Sequence, residues 1–357
     1  MKLLRDENCA FLNWVRLCDI DSYDSMDLQK QMVEIAKPLY YASLAGLTEA
    51  SDALLETGAD VNVWGGEYGN ALQAASVKGH EAIAKLLIDK GADVNAQGGT
   101  YGNALYAALY KGNEAMVRLL IEKGADVNAQ GGKHGNALHA ALYEGNEVMA
   151  ELLIEKGADV NAQGGYFGNA LHAASYTGHE AIVELLIEKG ADVNTQGGCC
   201  GNALYAASCT GHEAIAKLLI EKGANVNAQG GEHGNALHAA LCEGNEAIAK
   251  LLIEKEADVN AQGRHFRNAL HAASYAGLEA IAKLLIEKGA NVNAQGGCYG
   301  NALYTASCAG HEAIAKLLIE KGADVNAQGG EHGNALHAAL YKSNKAIAKL
   351  LIQHGAF

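Results

Sequence analysis

Residues 69–99 read GNALQAASVKGHEAIAKLLIDKGADVNAQGG, and each part of that string has a physical meaning. Asn70 is a helix N-cap, because its side-chain oxygen can accept a backbone N–H from the first turn. Ala71 to Ser76 follow as a short helix of small residues, suited to close packing. Gly79 ends it in the left-handed conformation that a residue without Cβ adopts freely. His80 to Lys90 form a second helix. Its Ile83, Leu86, Leu87 and Ile88 lie mostly at helical spacing, and Glu81 and Lys85 pair on the wet side. After Gly91, residues Asp93 to Gly99 cross to the next unit as an extended finger with a Gly turn. Helices this short do not persist alone in water. Each buries its apolar side only against a neighbouring copy.

The copies are there. Gly-Asn-Ala-Leu begins at 69, 102, 135, 168, 201, 234, 300 and 333, and the intervening step reads Arg267-Asn268-Ala269-Leu270. One step before Gly69 the frame falls on Ala36-Lys37-Pro38-Leu39. A constant period of 33 over residues 36–357 gives ten units. That is the signature of one stacked solenoid and not of several domains. Residues 1–35, with Phe11, Leu12, Trp14, Val15, Leu17, Met32, Val33 and Ile35, predict short amphipathic helices that cap the first unit. The 43 Gly and single Pro in 357 residues fit one turn reused many times. A net charge of −14 argues against a partner bound by neutralising phosphates, so nucleic acid is excluded. No apolar run reaches the roughly 20 residues of a membrane span. The first residues lack the apolar core of a secretory signal, so the eight cysteines are expected as reduced thiols in the cytoplasm or nucleus.

Asn-Ala-Leu-His-Ala-Ala, then Gly-His-Glu, then Leu-Leu-Ile-Glu-Lys-Gly-Ala-Asp-Val-Asn-Ala resembles the ankyrin repeat, over residues 36–357. The Gly-Gly-x-x-Gly-Asn-Ala-Leu variant and the lead-in Asn8-Cys9-Ala10-Phe11-Leu12-Asn13-Trp14-Val15-Arg16 are similar to the C-terminal arrays of fungal NACHT-type receptor proteins. The sequence holds no GxxxxGK[ST] phosphate loop, so the resemblance implies the sensing or scaffold part without the ATPase, or a stand-alone relative. It implies an all-α solenoid of ten helix-turn-helix units with short β-hairpin fingers, and non-catalytic protein–protein recognition. The finger tips and the inner face of the first helix would line a concave groove. In that pattern His139, His172, His238, His271 and His337 on the first helix, and His80, His179, His212 and His311 at the second, are structural. Ala71 and its equivalents depart from the family's Pro. Gly98 and its equivalents replace the finger Asp, which predicts loss of an Asp-mediated finger network and looser fingers.

The units vary at three places. Finger tips carry Tyr68, Tyr101, His134, Phe167, Cys200, His233, Phe266, Tyr299 and His332. Just after the helix-1 Leu stand Tyr106, Tyr205 and Tyr304, like Tyr40 of the first unit, where the remaining units have His or Gln. The end of helix 1 carries Tyr110, Tyr143, Tyr176, Cys209, Cys242, Tyr275, Cys308 and Tyr341. A solvated face would carry Lys, Glu and Ser. Rigid amphipathic rings instead mark a recognition wall for a protein partner. From the fourth unit the copies repeat in threes, a super-period of 99 residues that suits an extended or multivalent partner. The competing class is an enzyme or small-molecule binder using a His/Tyr/Cys-lined pocket. Cys199, Cys200, Tyr205, Cys209, His238 and Cys242 would gather thiols and imidazoles there. No CxxC or HxxxH pair appears, so no metal, cofactor or catalytic residue is assigned. Glu256, Arg264 and Arg267 replace glycines of the pattern. The first predicts a strained helix end of about 1 kcal/mol, and the cluster reads either as drift in one copy or as a basic spot beside Phe266 for an acidic group on the partner.

Overall fold

The computed structural model describes residues 38–132, 135–264, 266–296 and 300–357. The capping segment expected over 1–35 lies outside them. Each repeat opens with an inner helix: α1 (Pro38–Leu44), α3 (Ala71–Lys78), α5 (Ala104–Tyr110), α7 (Ala137–Tyr143), α9 (Ala170–Thr177), α11 (Ala203–Thr210), α13 (Ala236–Cys242), α15 (Ala269–Ala276), α17 (Ala302–Ala309) and α19 (Ala335–Tyr341). Each is followed by its outer helix: α2 (Thr48–Glu56), α4 (Glu81–Asp89), α6 (Glu114–Glu122), α8 (Glu147–Glu155), α10 (Glu180–Glu188), α12 (Glu213–Glu221), α14 (Glu246–Glu254), α16 (Glu279–Glu287), α18 (Glu312–Glu320) and α20 (Lys345–Gln353). The chain divides into two compact blocks, Met1–Tyr166 and Phe167–Phe357. Within each block, inner helices stack on inner helices and on their own outer helix, while outer helices meet more sparsely. The architecture is the all-α solenoid expected from the period.

Small residues explain the close inner stack. Ala71, Ala74, Ala75 and Ser76, with their counterparts, are fully buried between neighbouring helices. The N-cap is met as read: Asn70 accepts from Gln73 N–H, and Asn202 and Asn301 do the same for Tyr205 and Tyr304. Gly79, Gly178, Gly211, Gly277 and Gly310 close their helices in the left-handed region. His80, His212 and His311 at the outer-helix entry bond the carbonyls of Leu44, Tyr176 and Tyr275, one repeat earlier. Asn113, Asn245 and Asn344 do the same with Ser76, Ser208 and Ser307. These bonds satisfy carbonyls that a helix end leaves open. Glu256 sits at φ 65°, the strained helix end that the sequence predicts.

Successive turns are tied together by a side-chain ladder that the sequence reading missed. Asn95 Nδ2 donates to Gly124 O (3.1 Å) and its Oδ1 accepts from Asp126 N–H (2.7 Å), both one repeat on. Asn62 and Asn128 repeat this in the first block. Asn194, Asn227, Asn260, Asn293 and Asn326 repeat it in the second. Only an amide can both donate and accept at this place. Asn95→Asp is therefore expected to lower stability by about 1 kcal/mol and Asn95→Ala by about 2 kcal/mol, read as a shift in the urea midpoint.

The fingers are short antiparallel hairpins over the inner helices. β1 (Gln130–Gly131) pairs with β2 (Gly135–Asn136), and β3 (Gln229–Gly230) pairs with β4 (Gly234–Asn235). Elsewhere single bridges, Gly197 with Gly201 and Gln328 with Asn334, do the same work.

Candidate functional site

The residue after the inner-helix Leu holds up the next finger, and it does so with two chemistries. Gln73 Nε2 donates to Ala96 O (3.1 Å) and Gly98 O (3.2 Å). His172 Nε2 bonds Thr195 O (3.0 Å), and His271 Nε2 bonds Ala294 O (3.1 Å). Tyrosine reaches further and works in the opposite sense. Tyr205 Oη accepts from His233 N–H (3.1 Å) and Tyr304 Oη from His332 N–H (3.2 Å), each 28 residues on. Tyr40 does the same for Tyr68 N–H. The tyrosine ring lies under a finger glycine: Gly132 over Tyr106, Gly231 over Tyr205, Gly330 over Tyr304. Tyr106, Tyr205 and Tyr304 are thus buried, at 1–3% exposure, and this corrects the expectation that they line an open wall. His139, His172, His238 and His271 are buried at the same place, and His337 is exposed.

Where both residues of a finger tip are described, the second is the more buried of the two. Tyr166 is 62% exposed while Phe167 is buried, and Cys199 is exposed while Cys200 is buried. The inward residue meets the end of its own inner helix nine positions later. Phe167 packs on Tyr176 with centroids 5.0 Å apart at 42°, and Phe266 on Tyr275 at 5.1 Å and 42°, the same geometry 99 residues on. Tyr101 meets Tyr110 at 5.2 Å and His332 stacks on Tyr341 at 4.0 Å. Tyr101 also stacks on Tyr68, and the Lys111 ammonium sits 5.4 Å from both the Tyr101 and Tyr110 rings, a cation–π clasp.

The twenty expected residues therefore sort by depth. Tyr143, Tyr176, Tyr275 and Tyr341 are exposed, at 42, 39, 48 and 68%. Tyr68, Tyr101, Tyr110, Cys209, His233, Cys242, Cys308 and His332 are half-buried. Cys200, Phe167 and Phe266 are buried, because they are the inward half of the finger tip, and this too corrects the reading of them as free wall. His134 and Tyr299 lie outside the described residues. Trp64, 52% exposed at the first finger, and Tyr166 belong on the open face and were passed over, the latter because its inward neighbour carries the same ring chemistry. Arg267 is exposed and lies beside Gly296, and Arg264 N–H donates to His233 O.

The sulfur-bearing part of the second block has its own electrostatics. Cys199 Sγ and Cys200 Sγ are 3.4 Å apart as free thiols. Burial pushes the Cys200 thiol well up, with Cys199 and Cys209 adding to it. Burial first, then Glu243 and Glu232, raises Cys209, and burial with Glu243 pushes Cys242 up to about 12. Cys209 nevertheless comes together with His233 and Glu243, three potential metal ligands from two repeats. The sequence concealed this, since the three are 24 and 10 residues apart.

Buried histidine makes the array acid-sensitive. Burial, then the neighbouring His233 and His271, pushes His238 from 6.5 down to about 4. Burial likewise lowers His172 and His271. Below pH 6.5 the unfolded imidazole takes a proton that the folded one refuses, so the unfolded state binds more protons and stability falls as pH drops toward 4. The urea midpoint is expected to decline over that window. In His238→Gln, which can bond the finger as Gln73 does, the decline should be shallower.

Among the described residues no helix is long and apolar enough to cross a membrane. A search of curated proteins finds 44% identity over 80 residues to "Azaphilone pigments biosynthesis cluster protein L" of Monascus ruber, covering 19% of this chain. The match spans only 17% of that protein's length. Family profiles described as "Ankyrin repeats (3 copies)" match residues 97–164, 163–230, 228–296 and 270–357, and "Ankyrin repeats (many copies)" matches 71–121. With the Asn-capped inner helices, the glycine helix ends and the two-residue fingers, these matches place the chain in the ankyrin-repeat family.

Proposed function

We propose that this chain is a non-catalytic recognition scaffold that binds a protein partner along its finger face, in an array similar to those at the C-terminal end of fungal NACHT-type receptor proteins. One observation carries the reading. Tyr176 and Tyr275 stand exposed at the last inner-helix turn, each backed by a buried phenylalanine in the same orientation. A ring held this way presents apolar area and a hydroxyl with little entropy left to lose. Its recurrence at 99 residues favours an extended or multivalent partner over one compact metabolite. The net charge of −14 favours a basic partner and a salt-dependent on-rate. Five free cysteines among the described residues suit a reducing compartment, cytoplasmic or nuclear. Two residues of the catalytic alternative are otherwise engaged: Tyr205 accepts the His233 N–H of the next finger, and His238 is buried with Nδ1 on its own N-cap Asn235.

Affinity capture should compare the wild type with a variant carrying Tyr143, Tyr176, Tyr275 and Tyr341 as Ser. A control changes outer-helix Lys217, Lys250, Lys283 and Lys316 to Ser. Losing even one hot-spot ring is worth about 2 kcal/mol, roughly 30-fold in affinity. The tyrosine variant is expected to lose the partner by at least that factor while the lysine control keeps it. Equal retention by both would overturn the reading.

A further inference from the structure

Cys209, in the last turn of α11, faces the next finger tip and the inner helix behind it. Its Sγ, a ring nitrogen of His233 and a carboxylate oxygen of Glu243 all lie within 4.8 Å of one another. His233 Nε2 is already 3.5 Å from Glu243 Oε1. Ligands at tetrahedral angles around a zinc-sized ion, with bonds of about 2.0–2.3 Å, stand roughly 3.5 Å apart. One edge of the triangle is therefore set, and the others need about 1 Å of closure from side chains on a finger tip and a helix end.

The imidazole presents Nε2 to Glu243, while Nδ1, on the other side of the ring, is sealed from solvent with no hydrogen-bond partner. An ion held at Nε2 would leave Nδ1 as it is, so that atom is not part of the site. The ring is fixed, stacked on Tyr205 at 6.2 Å while its backbone N–H bonds the Tyr205 hydroxyl. The chain also carries its own control. In the copy 99 residues on, Cys308 and His332 recur, but Lys342 stands where Glu243 does and His332 stacks on Tyr341. In the copy 99 residues back, Tyr110 stands where Cys209 does. Thiol, imidazole and carboxylate coincide only in the middle copy of the three.

A histidine–glutamate pair has no use for a thiol beside it, whereas a borderline divalent cation takes all three donors. We propose that Cys209, His233 and Glu243 form a binding site for a zinc-class divalent cation. Three protein ligands leave a fourth position for water or for a group on a bound partner. The ion would tie the finger tip at His233 to the ends of α11 and α13, so occupancy stiffens this stretch of the finger face. The site stands independently of the recognition reading.

The test uses the full-length reduced chain, stripped with a chelator and titrated with Co2+, then Zn2+. The expected result is one tight equivalent of Co2+ with thiolate-to-cobalt charge-transfer absorption, bleached when Zn2+ displaces it. Cys209→Ser should abolish that band. Glu243→Lys, which installs the side chain the third copy tolerates, should weaken binding by at least about 100-fold, the upper end of what losing a mere outer partner does. Cys308→Ser should leave binding as in the wild type. Zn2+ should raise the melting temperature of the wild type and not of Cys209→Ser, with circular dichroism certifying that both are folded. The proposal fails if the folded wild type gives no thiolate band at one equivalent. It also fails if Cys209→Ser keeps the band, or if Cys308→Ser removes it.

Discussion

Gly231→Ala is expected to destabilise the second block by about 2–4 kcal/mol, while Gly223→Ala costs only about 1 kcal/mol. Both glycines hold positive φ, +73° and +91°, so both substitutions carry the left-handed strain of roughly 1 kcal/mol. The difference is what the new methyl meets. At Gly223 nothing lies within 4 Å. At Gly231 a Cβ would sit 2.3 Å from Tyr205 Cζ, with two more ring carbons at 2.5 and 2.6 Å. The ring cannot retreat, because its hydroxyl is bonded to the finger tip and its body lies in the inner stack. Overpacking of this kind adds about 1–3 kcal/mol to the strain. Urea unfolding of the two variants beside the wild type measures the gap.

Tyr205→Ala should cost about 3–5 kcal/mol, as large aromatic truncations in cores do. Tyr304→Ala should behave alike. Each removes a buried ring and leaves a finger N–H without its acceptor. Tyr275→Ala, at the exposed end of an inner helix, should change stability by no more than about 1 kcal/mol. Gly231→Ala and Tyr205→Ala should not add, because the second removes the ring that the first strikes. A double mutant losing the full sum would mean that the ring is not what constrains the glycine.

These contrasts mark where the sequence was readable. Asn70, Gly79 and the Ile83–Leu87 stripe each act locally, so one repeat was enough to read helices, caps and turns. The strained end at Glu256 followed from the same local rule. Tyr205 was misread because its environment is supplied by a finger 28 residues away. Histidine and tyrosine at that place look like alternatives on a wall, yet one bonds a finger carbonyl and the other accepts a finger N–H. The finger-tip pairs hid which residue turns inward. A partial signal was present: both phenylalanines at the inward position, Phe167 and Phe266, are followed nine residues later by a tyrosine, Tyr176 and Tyr275. The Asn95 ladder was invisible because it links exposed turns through side-chain amides, where hydrophobic periodicity is silent. The Cys209, His233 and Glu243 group was hidden for a related reason, since fingers juxtapose residues that no short spacing connects.

We propose a division of labour: rings just after the inner-helix Leu hold the fingers, and rings at the helix end meet the partner. Site-specific photo-cross-linking tests it directly, with a benzophenone side chain placed at Tyr275 or Tyr176 on the finger face, or at Lys283 or Lys217 on the outer helices. The expected result is a covalent adduct with the same protein from both tyrosine positions and none from the lysines. Adducts from Lys283 and Lys217 with none from Tyr275 and Tyr176 would contradict it.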